Sequence, residues 1–271
     1  MPEGDTVYRT ATVLTEALAD KVLTRGELRH PRLSTVDLAG RTVVGVRTVG
    51  KHLFVRFDRN LSLHNHLGLD GAWHVYPLGG RRWRRPAHQV RAILTTPEDQ
   101  AIGFTLHEMA LLPTDEESRL VGHLGPDLLD PQWDRAEALR RLRSDGDREI
   151  GLALLDQRVV AGVGNVIKAE VCFMLGVSPW TPVSEVDTER AVDLSHTVLD
   201  DNKMRPDRRT TGDPRRGRGL WVYGRTRSGC LRCGGRIHVG AQGIGVRERI
   251  AYFCPRCQPG PITSRRFRTT S

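Results

Sequence analysis

Apolar residues recur at helical spacing from Thr6 to Ala19, where Val7, Ala11, Leu14 and Leu18 share one face and Asp5 or Thr6 is placed to cap the first turn. From Thr42 to about Leu106 the pattern changes to short β-branched and alternating runs: Thr42 to Val46, Leu53 to Phe57, Leu61 to His66, Ala72 to Tyr76, Val90 to Thr95 and Ala101 to Leu106. Asp-Arg-Asn, Gly-Gly and Pro-Glu-Asp turns punctuate these runs, so an antiparallel β-sandwich or barrel with the first helix attached is predicted. The stretch from Gly122 to Asp134 reads as a connector, and helical periodicity returns at Ala136. Helices are predicted over Ile150 to Val160, Val166 to Leu175 and Val186 to Leu199, the first two joined by Ala161-Gly-Val-Gly-Asn165. Asp207 to Gly219 has no periodicity and reads as a mobile loop, and a small cysteine-bearing block follows it. The fold class is α+β.

Charge divides the chain unevenly. The net charge is +9, yet the 69 residues from Lys203 to Ser271 hold 17 Lys or Arg against 3 Asp or Glu, a local +14 that leaves −5 for the first 202. So basic a segment predicts a polyanion partner, and nucleic acid fits better than a membrane because no apolar run approaches spanning length. Only Lys21, Lys51, Lys168 and Lys203 supply lysine among the 41 cations, which singles out each of them for inspection. Met1 to Asp20 lacks the positive lead and long apolar stretch of a cleavable signal peptide, so a cytoplasmic chain is expected.

In that compartment the cysteines point to metal rather than disulfides. Cys230-Leu-Arg-Cys233 and Cys254-Pro-Arg-Cys257 form two CxxC knuckles whose four thiolates can converge on one structural Zn²⁺. All four ligand positions would then be filled by protein, so this metal holds a fold and does no catalysis. The interval suits a β-hairpin, with Ile237 to Val239 and Ile250 to Phe253 as strands and Gly240, Gly243 and Gly245 between them. Arg247, Arg249 and Arg256 on it are candidates for phosphate contact. Cys172 lies on an apolar helical segment and reads as core.

Two further segments carry chemistry. Gly162-Val-Gly164-Asn165 permits a tight turn, with Asn165 placed as N-cap of the next helix, whose free N–H groups can receive a phosphate. By itself such a turn is an ordinary helix connection. Removal of Met1 would expose the secondary amine of Pro2, a nucleophile able to form a cationic iminium, with Glu3 beside it as a proton donor and a helix directly behind to fix both. Lys51 follows Gly50 between two strands and can project toward a phosphate. His64 and His66 share one strand face, for which packing is a sufficient account. Trp180, Trp221 and Tyr223 read as core residues.

Taken together, these segments resemble the formamidopyrimidine-DNA glycosylase and endonuclease VIII family, closer to the endonuclease VIII branch by the Pro-Glu-Gly-Asp start. The motifs are Pro2-Glu3-Gly4, Val49-Gly50-Lys51, His66-Leu-Gly-Leu-Asp-Gly71, Gly125-Pro-Asp-Leu-Leu129, Leu155-Asp-Gln157 through Asn165, and the terminal CxxC…CxxCQ. The resemblance implies a β-sandwich catalytic domain over 1–122, a helix-two-turn-helix domain over 123–220, a zinc hairpin over 221–259 and a basic tail over 260–271, with DNA in the cleft between the lobes. It implies a monomer that binds damaged DNA, excises an oxidised base (pyrimidines ahead of purines) and cuts the strand by β- and δ-elimination. By the same resemblance Pro2 attacks C1′, Glu3 protonates the opening sugar, and Lys51 contacts phosphate and assists β-elimination. Arg249 grips a phosphate for δ-elimination and Arg247 lies beside it. Asn165 with Gly164 clamps the backbone, and Leu69 wedges into the gap left by the flipped base. Base flipping costs a few kcal/mol and least at damaged pairs, so it contributes selectivity.

This chain departs from the pattern at Thr6, where many relatives carry a second glutamate, and in Gly68 and Asp70 around Leu69. An alternative is a zinc-finger protein that binds damaged or abasic DNA without catalysis, against which the joint presence of Pro2, Glu3 and Lys51 argues. A zinc hydrolase fails because no open three-ligand site is present in the sequence. With −5 over the first 202 residues, most electrostatic attraction for DNA is expected at the C-terminus, with Lys51 among the few placed cations elsewhere.

Overall fold

The computed structural model describes residues 2–80, 82–245 and 248–262. They fall into two compact units, one running to His123 and the other from Leu124.

The first unit opens with helix α1, Gly4–Leu18. It begins two residues before the expected start, and its N-cap is Glu3 in extended conformation, not Asp5 or Thr6. Asp5 already lies within the first turn, where its carboxylate accepts the Thr6 N–H at 2.7 Å and its charge suits the positive end of the helix dipole. Eight strands follow: β1 (Arg25–Leu28), β2 (Val43–Val49), β3 (His52–Phe57), β4 (Leu61–His66), β5 (Ala72–Pro77), β6 (Val90–Thr95), β7 (Asp99–Phe104) and β8 (Glu108–Leu112). They form two antiparallel four-stranded sheets, ordered β1-β6-β7-β5 and β2-β3-β4-β8, as the sandwich reading required. The strands β1 and β8 were not expected.

Alternation explains what the second sheet buries. Leu53, Val55, Phe57 and Leu63 face a common core with Leu28, Ala92 and Leu94 of the other sheet and Val7, Leu14 and Leu18 of α1. The opposite face carries His52, Arg56, Ser62 and His64. On that face Glu117, buried just before α2 (Ser118–Val121), accepts hydrogen bonds from Arg56, from Ser62 at 2.7 Å and from Arg47 at 2.9 Å. Burial pushes the Glu117 carboxyl up, but these three donors outweigh it and hold the group below its ordinary value.

The second unit contains α3 (Arg135–Arg143), α4 (Ile150–Leu155), α5 (Asn165–Leu175) and α6 (Thr188–Asn202), then a hairpin of β9 (His238–Gln242) and β10 (Arg249–Phe253). Asp134 and Asp187 cap α3 and α6 through the backbone N–H groups of Glu137 and Arg190. Helix α4 stops at Leu155, well short of the expected Val160. Asp156 takes an extended conformation there and turns its carboxylate onto the Arg158 N–H and the Arg148 and Arg158 guanidiniums. No helix among the described residues is long and apolar enough to cross a membrane.

Candidate nucleic-acid site

Pro2 is half-buried and Glu3 is fully buried, immediately ahead of α1. The first backbone hydrogen bond of the helix, Val7 N–H to Glu3 O at 3.0 Å, fixes this pair to a rigid element. Lys51, also half-buried, occupies the two-residue turn between β2 and β3, where Gly50 takes φ +59°. That turn requires a left-handed residue, which explains the glycine before the lysine.

Three histidines lie beside Lys51. The rings of His52 and His64 stack at 5.1 Å with His52 Nδ1 and His64 Nε2 2.9 Å apart, and His66 meets His52 edge-on at 5.4 Å. Burial first, then the charge of neighbouring histidines (His64 and His66 on His52, His66 on His64), pushes His52 down to about 3 and His64 to about 4, so both rings are neutral at neutral pH. His66 Nδ1 accepts the Gly68 N–H at 3.0 Å, which places the ring proton on Nε2.

That bond begins the loop bearing Leu69. Gly68 has φ +58°, and a Cβ on Gly71 would stand 2.3 Å from Leu67 O, so both glycines are demanded by the bend. Leu69 projects from it 72% exposed, an arrangement that leaves a bulky apolar side chain in solvent.

In the second unit, Gln157 organises the glycine turn. Its amide donates to Leu155 O and Val163 O at 3.0 and 2.9 Å and accepts the Gly162 N–H at 3.1 Å. The Gly125 to Leu129 motif packs on the same turn: Ala161 N–H donates to Pro126 O, and a Cβ on Gly125 would meet Val159 O at 2.4 Å. Gly164, not Asn165, is the N-cap of α5, since Asn165 already has helical geometry. Asn165 instead donates from Nδ2 to Ile250 O at 2.9 Å, bringing the turn against the hairpin residue next to Arg249. The exposed Arg249 donates from Nη1 to Glu248 O. Arg247 lies outside the described residues, as does most of the expected basic tail.

The four hairpin cysteines converge. Their Sγ atoms all lie within 4.8 Å of one another, with Cys230 to Cys257 at 3.9 Å and Cys233 to Cys254 at 3.6 Å. Tetrahedral ligation at about 2.3 Å demands edges of about 3.8 Å, so this is a possible metal site by geometry as well as by donor type. The Gly235 N–H donates to Cys233 Sγ and lowers that thiol to about 7. Cys172 lies elsewhere in the α5 core, where burial pushes its thiol up to about 12.

Several determinants of this site were not anticipated. Glu170, fully buried on α5, accepts the backbone N–H groups of Trp221, Val222 and Tyr223 at 2.7 to 3.0 Å and the Thr210 hydroxyl. Burial pushes its carboxyl up against the pull of those four donors. Glu170 thereby anchors the chain at both ends of the Asp207 to Gly219 segment, which is irregular and lines a concavity of about 710 Å³ with Arg208, Arg215 and Tyr223. Lys168, also fully buried on α5, donates to Gln242 Oε1 at 3.1 Å, and Gln242 Nε2 reaches Glu149 and Pro179 O. A lysine and a glutamate inside an apolar helical run were the available signal for both. Trp180, Trp221 and Tyr223 pack on Phe253, Phe173 and Tyr252, as core residues do.

Residues 1–111 match the formamidopyrimidine-DNA glycosylase N-terminal domain, and residues 124–201 match the H2TH domain of the same enzymes. The chain belongs to the formamidopyrimidine-DNA glycosylase and endonuclease VIII family. It is 53% identical to a probable endonuclease 8 2 of Streptomyces coelicolor over 96% of this chain and 95% of that one. It is 45% identical to the DNA-(apurinic or apyrimidinic site) lyase Nei2 of Mycolicibacterium smegmatis, over 95% and 99% of the two chains. Among solved structures, Lactococcus lactis formamidopyrimidine-DNA glycosylase bound to DNA containing an abasic site superposes with a TM-score of 0.76 at 25% identity, covering 95% of this chain and all of that one.

Proposed function

We infer that the protein is a base-excision-repair DNA glycosylase and apurinic/apyrimidinic lyase, acting as a monomer on damaged DNA in the cytoplasm. The observation that carries this reading is the helix that starts at Gly4 and holds Pro2 and a buried Glu3 at its head, within a chain that matches the family over nearly its full length.

Once Met1 is removed, the Pro2 nitrogen lone pair attacks C1′ and the glycosidic bond breaks, its electron pair leaving with the base. Glu3 delivers a proton to the sugar oxygen as the ring opens, and the secondary amine becomes an iminium. Loss of a C2′ proton then expels the 3′ phosphate, and a second elimination breaks the C5′–O5′ bond. Lys51 holds phosphate for the first elimination and Arg249 for the second. Gly164 and Asn165 grip the backbone with Arg247, and Leu69 fills the vacated stack. The four cysteines hold one structural Zn²⁺, whose bonds fix the hairpin that presents Arg249. Oxidised pyrimidines are the preferred bases in this reading.

Borohydride reduction with abasic-site DNA tests it. The wild-type chain should yield a covalent adduct, and Pro2→Gly none. Intact binding without an adduct under any condition would instead mark a protein that binds lesions and has lost the chemistry. An excision panel of oxidised pyrimidines and purines in duplex and single-stranded DNA tests the choice of base.

A further inference from the structure

The first unit carries a cationic surface that the −5 summed over the first 202 residues conceals. Between β5 and β6 the chain reads Gly-Gly-Arg-Arg-Trp-Arg-Arg-Pro, and Arg82, Arg84 and Arg85 surround a concavity of about 910 Å³. This turn is built, not loose. Trp83 Nε1 donates to Gln100 Oε1 at 3.1 Å while its ring meets Phe104 edge-on, and the Tyr76 hydroxyl accepts the Arg84 N–H at 2.9 Å.

Ion pairing separates these arginines from their neighbours. In the same unit Arg25, Arg29, Arg41, Arg47, Arg56, Arg59 and Arg119 each have a carboxylate within ion-pair distance, while Arg32 and Arg91 lie outside the turn and have none among the described residues. Among the described residues Arg82, Arg84 and Arg85 have none. The positive charge is felt locally: His74 is held below its ordinary value by burial and then by Arg84 and Arg85. Arg85 Nη1 donates to Asp70 O at 2.6 Å, so the turn is tied to the loop bearing Leu69.

We propose that the Arg82–Arg85 turn is a DNA-backbone-binding surface of the N-terminal unit, with Arg82 and Arg84 taking phosphates and Arg85 fastening the turn to the Leu69 loop. Two guanidiniums without a carboxylate partner, on a concave frame that Arg85 ties down, suit phosphate oxygens, which accept paired N–H donors. Such contacts position a duplex without reading its bases. The proposal rests on DNA being the substrate and does not require Leu69 to act as a wedge.

The test is the salt dependence of binding by the full chain to undamaged duplex and to the same duplex with a stable abasic analogue. Each phosphate contact contributes about 0.9 to the slope of log K against log salt. Arg82→Ser/Arg84→Ser should lower that slope by about 1.8 on both duplexes and weaken binding about thirty-fold at about 0.15 M salt. Arg82→Lys/Arg84→Lys should restore most of the slope, showing that the loss is of charge and not of fold. Arg119→Ser, which removes an exposed but paired cation, should leave it unchanged. An unaltered slope in the double serine variant, or an equal loss in Arg119→Ser, would overturn the proposal. Borohydride trapping at saturating protein separates this from the catalytic reading: the double variant should still form the adduct, whereas failure of the wild type to form one would indict the enzyme assignment alone.

Discussion

Asn165 and Ile250 lie 85 positions apart in sequence and are joined by one hydrogen bond of 2.9 Å, from the Asn165 amide to the Ile250 carbonyl. The bond locks the first turn of α5 to the hairpin strand at the residue after Arg249, so the two proposed phosphate-gripping elements are set against each other before DNA arrives. Asn165 Oδ1 is buried and has no hydrogen-bond partner among the described residues. A polar atom so placed is costly in isolation and is kept where the side chain must present its amide in one orientation.

Asn165→Ala should therefore weaken binding to abasic duplex by about ten-fold, through loss of one hydrogen bond and of the alignment it maintains. Asn165→Asp should be worse, because a carboxylate would face both the Ile250 carbonyl and an incoming phosphate. Anisotropy titrations on the two variants check the order, and equal losses would show that orientation of the amide is unimportant.

The metal prediction concerns the same hairpin. The purified chain should contain one equivalent of zinc, and Cys233→Ser or a strong chelator should melt the hairpin, since structural zinc supplies on the order of ten kcal/mol to such modules. Phosphate gripping by Arg249 should then be lost, while α1 and its sandwich, whose core is separate, keep their fold. Elemental analysis together with far-ultraviolet dichroism during chelation measures both effects.

Local chemistry was legible in the sequence and long-range pairing was not. The cysteine knuckles, the Gly50-Lys51 turn and the glycine turn before α5 announce themselves because each needs particular residues within a few positions. Strand β1 has no strand signal because Arg-Gly-Glu-Leu has two charges and a glycine in four residues, and β8 none because Glu-Met-Ala-Leu-Leu favours helix locally. Both are strands only because a neighbouring strand supplies their hydrogen bonds. The partners of Asn165, Glu117 and Glu170 could not be read for the same reason: nothing near them in sequence names the groups they meet. The Arg82–Arg85 turn has no role legible in the sequence; its meaning comes from the lack, among the described residues, of carboxylates within ion-pair distance of it.

Glu170 gives a test of that hidden layer. Glu170→Gln replaces an acceptor for three backbone N–H groups with an amide that can offer one oxygen, so at least one buried donor is left unmet, at about 2 kcal/mol. The segment from Asp207 to Gly219 should become open to limited proteolysis at temperatures where the wild type resists. Resistance equal to wild type would show that the loop is held by its own contacts, such as Arg215 and Arg218 on Asp213.

The stacked histidines predict an acid sensitivity that sets in well above the usual carboxylate range. His52 and His64 are pushed down to about 3 and 4 in the folded chain, against about 6.5 when unfolded, so the unfolded state binds more protons between those limits. Stability is therefore fully retained above pH 6.5 and declines as the pH falls below it, by about 1.4 kcal/mol per pH unit for each proton taken up on unfolding. Carboxylates such as Glu117, held below their ordinary value, add their own loss at lower pH, starting as the pH falls below the ordinary carboxylate value and complete once they protonate in the fold. Urea midpoints at pH 7 and pH 5 should thus separate sharply in the wild type, and much less in His52→Asn/His64→Asn, where neither ring remains to be charged. An undiminished separation in the double variant would assign the acid lability to other groups.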